Sequence, residues 1–414
     1  MNDIILVTVD SWRYDAPNAM PRFSEMTDEW NSGYLICVAS ATNGAFPAIL
    51  SSQFYPELYQ SDGSVPEDTA SLPTLLSDRG YSTGGFVASN PSLGKWSEHF
   101  DAWWNDGMSA TGFDSNLAKR DLTVPGKLAR LLALRPRIPA EDVLSRADEW
   151  WTRTDSPRFL WVHLMEPHEP YVPGFNLGRE VGLFRSYAST VGHAKLRQNV
   201  PAWMKQHLKR LHYQTYVRLD RVLTPWLKAH DDATIVLTGD HGEEFDHGLI
   251  KHARLYDKTV RVPLVSNDLF NSLEEEELVR QLDLAPSIVS ELDISVPDTW
   301  EGTPSTDTPQ PQEMINSSPE FERSWVGVRS KSWKIIFTYD WNDGFRGSET
   351  YNIEADPEES DPKSVLAAPS SLRERLCEFI DRPAISKKIS SESELKTGIN
   401  SEVEGRLKRL GYMN

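Results

Sequence analysis

The sequence predicts an α/β protein: a large central, mostly parallel sheet flanked by helices, followed by a small C-terminal α+β subdomain. Three observations predict it. Two apolar, β-branched runs, Ile4–Val9 and Thr234–Leu237, are each followed closely by an aspartate, Asp10 and Asp240. Short runs of this kind read as strands buried on both faces. Helical and strand signals then alternate up to about Asn267, the order of a parallel sheet with crossover helices. Beyond a Pro-, Thr- and Ser-rich stretch, Asp298–Pro319, the segment Trp325–Tyr339 alternates like an antiparallel strand pair. The expected organisation is a large unit over residues 1–300 and a smaller one over residues 320–414.

Individual elements follow in order. Leu72–Arg79 reads as a helix stopped by Gly80, and Thr83–Ala88 as the next strand. Asn105–Pro139 is less regular and carries Lys119, Arg120, Lys127, Arg130, Arg135 and Arg137. It reads as a solvated amphipathic helix such as Val124–Leu134, with an insertion shaping a substrate mouth as the alternative. Ala140–Thr152 and Ala202–Leu227 read as helices, the second with Tyr213, Tyr216, Leu219 and Leu223 at helical spacing. Asp298–Pro319 reads as a linker or exposed loop. Pro383–Ser393 reads as a loose polar segment before a terminal helix.

At 414 residues the chain can bury a large core, and 14 Trp with a hydrophobic fraction of 39% indicate a folded globular protein. A net charge of −18 argues against nonspecific nucleic-acid binding and against anionic lipid. The 2 Cys, Cys37 and Cys377, suggest neither a disulfide framework nor a cysteine zinc site. No run reaches the roughly 20 apolar residues of a membrane span. No signal-peptide pattern is visible, and a cytoplasmic location is the expectation.

The chemistry concentrates at strand ends. Asp10 and Asp240 are expected to converge on one sheet edge, where open α/β sheets bind ligands. His241 follows Asp240 directly, and a carboxylate beside an imidazole suits a divalent cation. Lys251 and His252 lie far enough on to loop back over the same place. A lone Asp after a strand is usually a turn or cap; the combination is what points to a metal site. His168, in a loop between Pro167 and Pro170, is the stronger functional candidate than His163, which reads as a satisfied core histidine. Glu243 and Glu244 read as the acidic first turn of a helix.

Several segments then resemble the sulfatase family of the alkaline phosphatase superfamily. IILVTVDSWRYD resembles its first strand and metal-binding Asp, and LWVHLMEPHEPYVP, at Leu160–Pro173, its central segment. TGDHGEEFDHG and KHARLYDKTVRVPLV resemble its second metal cluster and the basic segment after it. QLDLAPSIVSELDI, VGVRSKSWKIIF and ETYNIEADPEES resemble its later helix and C-terminal strands, and GRLKRLGYMN its closing helix. The order of these motifs is more specific than any one of them. The resemblance implies an alkaline-phosphatase-like fold and hydrolysis of sulfate or phosphate esters, with carbohydrate esters as a family-level substrate class. It also implies one divalent metal ion (calcium, magnesium, manganese or zinc) held by Asp10, Asp240 and His241. His168, Lys251 and His252 would contact the anionic group or protonate the leaving oxygen.

The family places its nucleophile in a Cys/Ser-x-Pro-x-Arg segment, converted to formylglycine in true sulfatases, or uses Thr or Ser before x-Pro in relatives. Here the segment is ATNGAFPAIL, at Ala41–Leu50. Alignment on Pro47 puts Ala45 at the nucleophile position and Ile49 at the Arg position. Cys37 lacks the x-Pro-x-Arg context. Thr42 or Ser40 could supply the hydroxyl instead, and Thr42 is the candidate nucleophile. The alternative is a catalytically silent protein that keeps the metal cluster and an anion pocket. A phosphotransferase relative is a third reading.

Overall fold

The computed structural model describes residues 2–88, 90–105, 108–109, 112–113, 131–136, 138–196, 199–270, 278–305 and 310–389. The central sheet has eight strands: β1 Ile4–Val9, β2 Asn31–Ile36, β3 Ser82–Val87, β4 Ala102–Trp104, β5 Arg158–Leu164, β6 Thr234–Gly239, β7 Arg261–Ser266 and β8 Leu278–Arg280. Their spatial order is β8-β2-β7-β6-β1-β5-β3-β4. All neighbouring pairs are parallel except those of β7, which runs against both β2 and β6. The mostly parallel sheet expected from the sequence is therefore the observed one.

Burial explains the unbroken apolar runs. In β1, Ile4 and Leu6 join the core on one face of the sheet, while Ile5, Val7 and Val9 join the core on the other. Val236 and its neighbours Ile235 and Leu237 divide the same way in β6. A strand covered on both faces is mostly apolar at every position, and its buried polar residue in β1, Thr8, is hydrogen-bonded to the neighbouring strand β5.

The helices used below are α1 Thr42–Ser51, α2 Leu72–Asp78, α3 Ala140–Trp151, α4 Phe175–Glu180, α5 Leu183–Leu196, α6 Ala202–Lys228, α7 Asp257–Val260, α8 Pro383–Ile389. Ser71 caps α2 with a reciprocal capping box to Thr74. Helix α3 buries Val143, Leu144 and Ala147 at i, i+1, i+4 spacing.

Behind the main sheet stands an antiparallel one: β9 Gln312–Ser318, β10 Arg323–Arg329, β11 Trp333–Asp340 and β12 Gly344–Asn352, in that order. Its inner residues Ile315, Val326, Val328, Ile335 and Phe337 share a core with Val38, Ala48 and Phe54 of the main part. Buried charge also crosses this junction. Arg329 donates to both Asp257 oxygens, at 3.1 and 3.0 Å. Lys334, fully buried, pairs with Asp257 and lies 2.7 Å from Glu359 Oε1.

Two expectations change. The C-terminal end of Asp298–Pro319 is strand β9, not loop. The chain past Pro311 buries Met314 and Ile315, and Ile315 N donates to Val38 O at 2.7 Å. The first part of Pro383–Ser393 is helix α8, because Ile385 and Ile389, one turn apart, both enter the core. Most of Val124–Leu134 and the terminal helix expected at residues 405–414 lie outside the described residues.

Candidate active site

Strand register builds the site. Val9 is level with Gly239 on one side and Leu164 on the other. One residue further, Asp10 N donates to Leu164 O at 2.9 Å, and the chain turns away from the sheet. Asp10 and Asp240 therefore emerge side by side at the C-terminal edge of the parallel strands. Ligand atoms of Asp10, Asp240 and His241 all lie within 4.8 Å of one another, and all three residues are fully buried.

Neighbours fix these three. Ser11 Oγ lies 2.8 Å from Asp10 Oδ1 and 3.3 Å from Glu243 Oε2. Ser11 itself holds a left-handed φ of 56°, a conformation that costs a non-glycine residue energy and tends to sit at functional sites. His241 N donates to Asp240 Oδ1 at 2.8 Å. His241 Nδ1 lies 2.8 Å from Gly242 O, which makes it the protonated nitrogen and leaves Nε2 free to ligate. Gln281 bridges the backbone, donating to Asp240 O and accepting from Val38 N, each at 3.0 Å.

The electrostatics are unbalanced. Burial, joined by the charge of Asp10, pushes Asp240 well above the usual carboxylate range. Burial opposes ionisation of Asp10 too, but His168, His241 and His163 outweigh it and hold that carboxyl low. Among the described residues, the ion-pair partners of Asp10, Asp240 and Glu243 are all histidines. Asp240 Oδ2 has no hydrogen-bond partner among them. A buried, unpartnered carboxylate oxygen facing a second carboxylate and an imidazole suits a divalent cation.

Thr42 opens helix α1 directly over the cluster. Its Oγ1 lies 3.0 Å from Asp10 Oδ2 and 3.4 Å from His241 Nε2. Helix geometry leaves the N–H groups of Thr42 and Asn43 without carbonyl partners in α1. Ala45 lies one turn further in, fully buried in the core with Phe46 and Ile49. Pro47 sits inside the helix, not at its start, so it is a poor marker for the first turn. Cys37 is buried, and burial pushes its thiol up. Ser40 is buried beside the helix start.

The remaining candidates divide. The His252 ring packs against His241, with centroids 4.3 Å apart, and its Nδ1 lies 3.5 Å from Glu243 Oε1. His168 lies 6.0 Å from His252, centroid to centroid. Its Nδ1 donates to Glu169 O at 2.6 Å, leaving Nε2 for other partners. Lys251 turns away: its Nζ pairs with Glu169 at 2.8 Å and lies 3.9 Å from Glu320. Thr42, His168 and His252 line one pocket of about 680 Å³. Asn43, Asn90, Arg135 and Thr190 line it too, with Leu131, Ile138, Met165 and Val172 as apolar wall.

The structure adds residues that sequence reading passed over. Glu243 does not start a helix. It is fully buried, and His252, against the effect of burial, helps hold it down at about 2. Glu244 is buried and pairs with Arg254. His163 is buried behind Asp10, with Nε2 3.9 Å from Asp10 Oδ2, and burial lowers it to about 4. The one signal available was the run Phe245–Gly248, which breaks any helical pattern after the two glutamates.

Solved structures share this fold at low sequence identity. One, a complex with its substrate D-glucosamine-2-N,6-O-disulfate, matches with a TM-score of 0.65 at 16% identity, covering 95% of this chain and 100% of that one. The phosphonate monoester hydrolase of Silicibacter pomeroyi matches with a TM-score of 0.65 at 14% identity, over 92% of this chain and 94% of that one. That of Agrobacterium radiobacter gives 0.64 at 14%, over 91% and 94%. The chain thus shares the fold of these solved structures. It belongs to the sulfatase family, whose model, described as Sulfatase, matches residues 2–294. No curated protein matches the chain in sequence.

Proposed function

We propose that this protein is a metal-dependent hydrolase of sulfate or phosphate esters, with Thr42 as nucleophile and phosphoryl esters as the better substrates. The observation that carries it is the Thr42 hydroxyl, 3.0 Å from Asp10 Oδ2 at the start of α1. A divalent cation held by Asp10, Asp240 and His241 would supply Lewis-acid stabilisation of charge on the ester oxygens.

The protein's own groups do the rest. The Thr42 hydroxyl, oriented by its hydrogen bond to Asp10 Oδ2, loses its proton to solvent as its oxygen attacks the phosphorus or sulfur. The bond to the leaving oxygen breaks, and His252 or His168 returns a proton to it through the free Nε2. The unpaired N–H groups at the start of α1 face the anionic oxygens, as helix N-termini do. Water then attacks the threonyl ester, releasing the acid and restoring the hydroxyl. Lys251, paired to Glu169, acts on this site by neutralising the carboxylate next to His168.

The preference for phosphorus follows from the nucleophile. Threonine has one hydroxyl, so its ester must be opened by attack at the central atom, and phosphoryl centres accept that attack more readily. Arylsulfate, arylphosphate and arylphosphonate esters, tested with each divalent cation and with chelator, check the reading. Cation-dependent turnover that prefers the phosphorus esters is expected. Turnover of sulfate alone would overturn the nucleophile, and none with any ester would overturn the enzyme.

A further inference from the structure

We infer that the helical cap beside the pocket, made of α4, α5 and the first turns of α6, docks on the surface of an anionic phospholipid bilayer. The first observation is the distribution of exposed apolar side chains. Among the described residues, seven large ones are exposed, and six of them lie in or against this cap: Leu132, Phe175, Phe184, Val191, Leu196 and Trp203. Single exposed apolar residues are ordinary; six of seven in one region are not. Phe184 is 84% exposed, and Val191 follows it seven residues later on the same face of α5. The pieces belong to one unit. Tyr187 of α5 donates to Leu132 O, and Gly174 N donates to Leu134 O at 2.8 Å.

The second observation is charge. Residues 174–212 hold seven Lys and Arg against one acidic residue, Glu180, in a chain whose net charge is −18. Lys209 is paired with Asp246 at 2.7 Å, but Arg179, Arg185 and Arg210 have no carboxylate partner among the described residues. Arg185 and Arg210, on different helices, both lie close enough to His207 to oppose its protonation, after burial itself.

Separated Phe, Trp and Leu side chains interleaved with Arg match the boundary between headgroups and acyl chains. A protein partner would ask for a continuous apolar centre with a polar rim. The acidic remainder of the surface does not prevent docking. Screening confines its repulsion to about 10 Å at ordinary ionic strength, while the cap's cations would touch the headgroups. The described helices include none long and apolar enough to cross a membrane, so the contact would be peripheral. Thr190 of α5 and Leu131 also line the pocket, so docking would turn its mouth toward esters in the headgroup layer. That last consequence rests on the proposed function; the docking does not.

The test is flotation of the full chain with vesicles, read without turnover, so that docking and catalysis can fail separately. One set is phosphatidylcholine alone and the other is phosphatidylcholine and phosphatidylglycerol in equal parts, each at low and high salt. Binding only to the anionic vesicles, weakened by salt, is expected. The double variant F184A/W203A should bind about tenfold more weakly, and R185E at least as much so. Each should unfold at the wild-type temperature, and L366A, an exposed apolar residue elsewhere, should bind like wild type. Absence of binding to anionic vesicles, or equal binding by F184A/W203A, overturns the proposal. So does light scattering in which the chain self-associates and the same variants abolish that association, which would assign the patch to a second copy.

Discussion

Two buried charge clusters in this molecule differ in one respect, and the difference separates structure from function. At the junction with the antiparallel sheet, Asp257 and Glu359 are met by Arg329 and Lys334, so two carboxylates face two cations. At the edge of the main sheet, Asp10 and Asp240 are equally buried, but among the described residues their ion-pair partners are all histidines. Glu166, just past the end of β5, is a milder case. One oxygen accepts from Ala140 N at the start of α3, the other has no partner among the described residues, and burial pushes the carboxyl up to about 7. A buried ion network with matched charge holds the fold in place. A buried carboxylate set without matching cations costs stability, and it makes sense where a bound cation completes it.

The comparison can be broken at several points. The largest effect should come from Thr42→Ala, which leaves the fold intact and lowers kcat on the order of 10⁴-fold or more. Steady-state kinetics with an aryl phosphate would measure it, and retained activity would remove Thr42 from the mechanism. Next, Lys334→Met strips the junction of one cation and should destabilise by roughly 3–5 kcal/mol in denaturant unfolding. A negligible loss would mean that the junction cluster is not the structural one.

Asp240→Asn tests the other cluster with the opposite sign. In chelator the variant should be more stable than wild type by about 1–3 kcal/mol, because it removes a carboxyl that must take up a proton on folding while keeping the acceptor for His241 N. Added divalent cation should raise the wild-type Tm and leave the variant's unchanged. If the variant is the less stable in chelator, the carboxylate is structural.

Glu166 gives the pH dependence. Its pKa is raised on folding, so the folded state binds more protons between the unfolded value of about 4.5 and the folded value of about 7. Stability from this group is therefore full below about 4.5 and is lost as pH rises through 7. Glu166→Gln should flatten that limb of Tm against pH and gain about 2 kcal/mol near pH 8. An unchanged profile would show that the group titrates normally. The smallest effect is expected from Lys251→Ala. Its ammonium serves Glu169 and not the cluster, and a part-exposed pair contributes about 1 kcal/mol or less. A loss as large as that of His252→Ala would mean that Lys251 touches the reacting anion.

Much of the site was legible in the sequence. Asp10, Asp240 and His241 stood out because each follows a run buried on both faces, and a strand end is where such a run must meet solvent or ligand. His252 was legible as part of a basic segment that loops back. What could not be read was which way each side chain turns. Lys251 and His252 are adjacent, yet one turns to Glu169 and the other packs against His241. Glu243 looked like a helix start because acidic residues favour that place; nothing local shows that it is buried against Ser11 and His252. Strand β9 and helix α8 were hidden for the same reason, since polar, proline-rich stretches acquire order only from the core they join.

By itself, then, the sequence determined the class of sheet, the two strand-end aspartates and the order of motifs along the chain. Periodicity and strand-end chemistry are local, and local pattern survives in one dimension. The tertiary structure decided that Thr42, not Ala45, meets the cluster. That choice depends on the residue at which α1 begins and on the register that sets Val9 level with Gly239. Helix start and strand register are fixed by packing between segments some two hundred residues apart, and no local pattern carries that information.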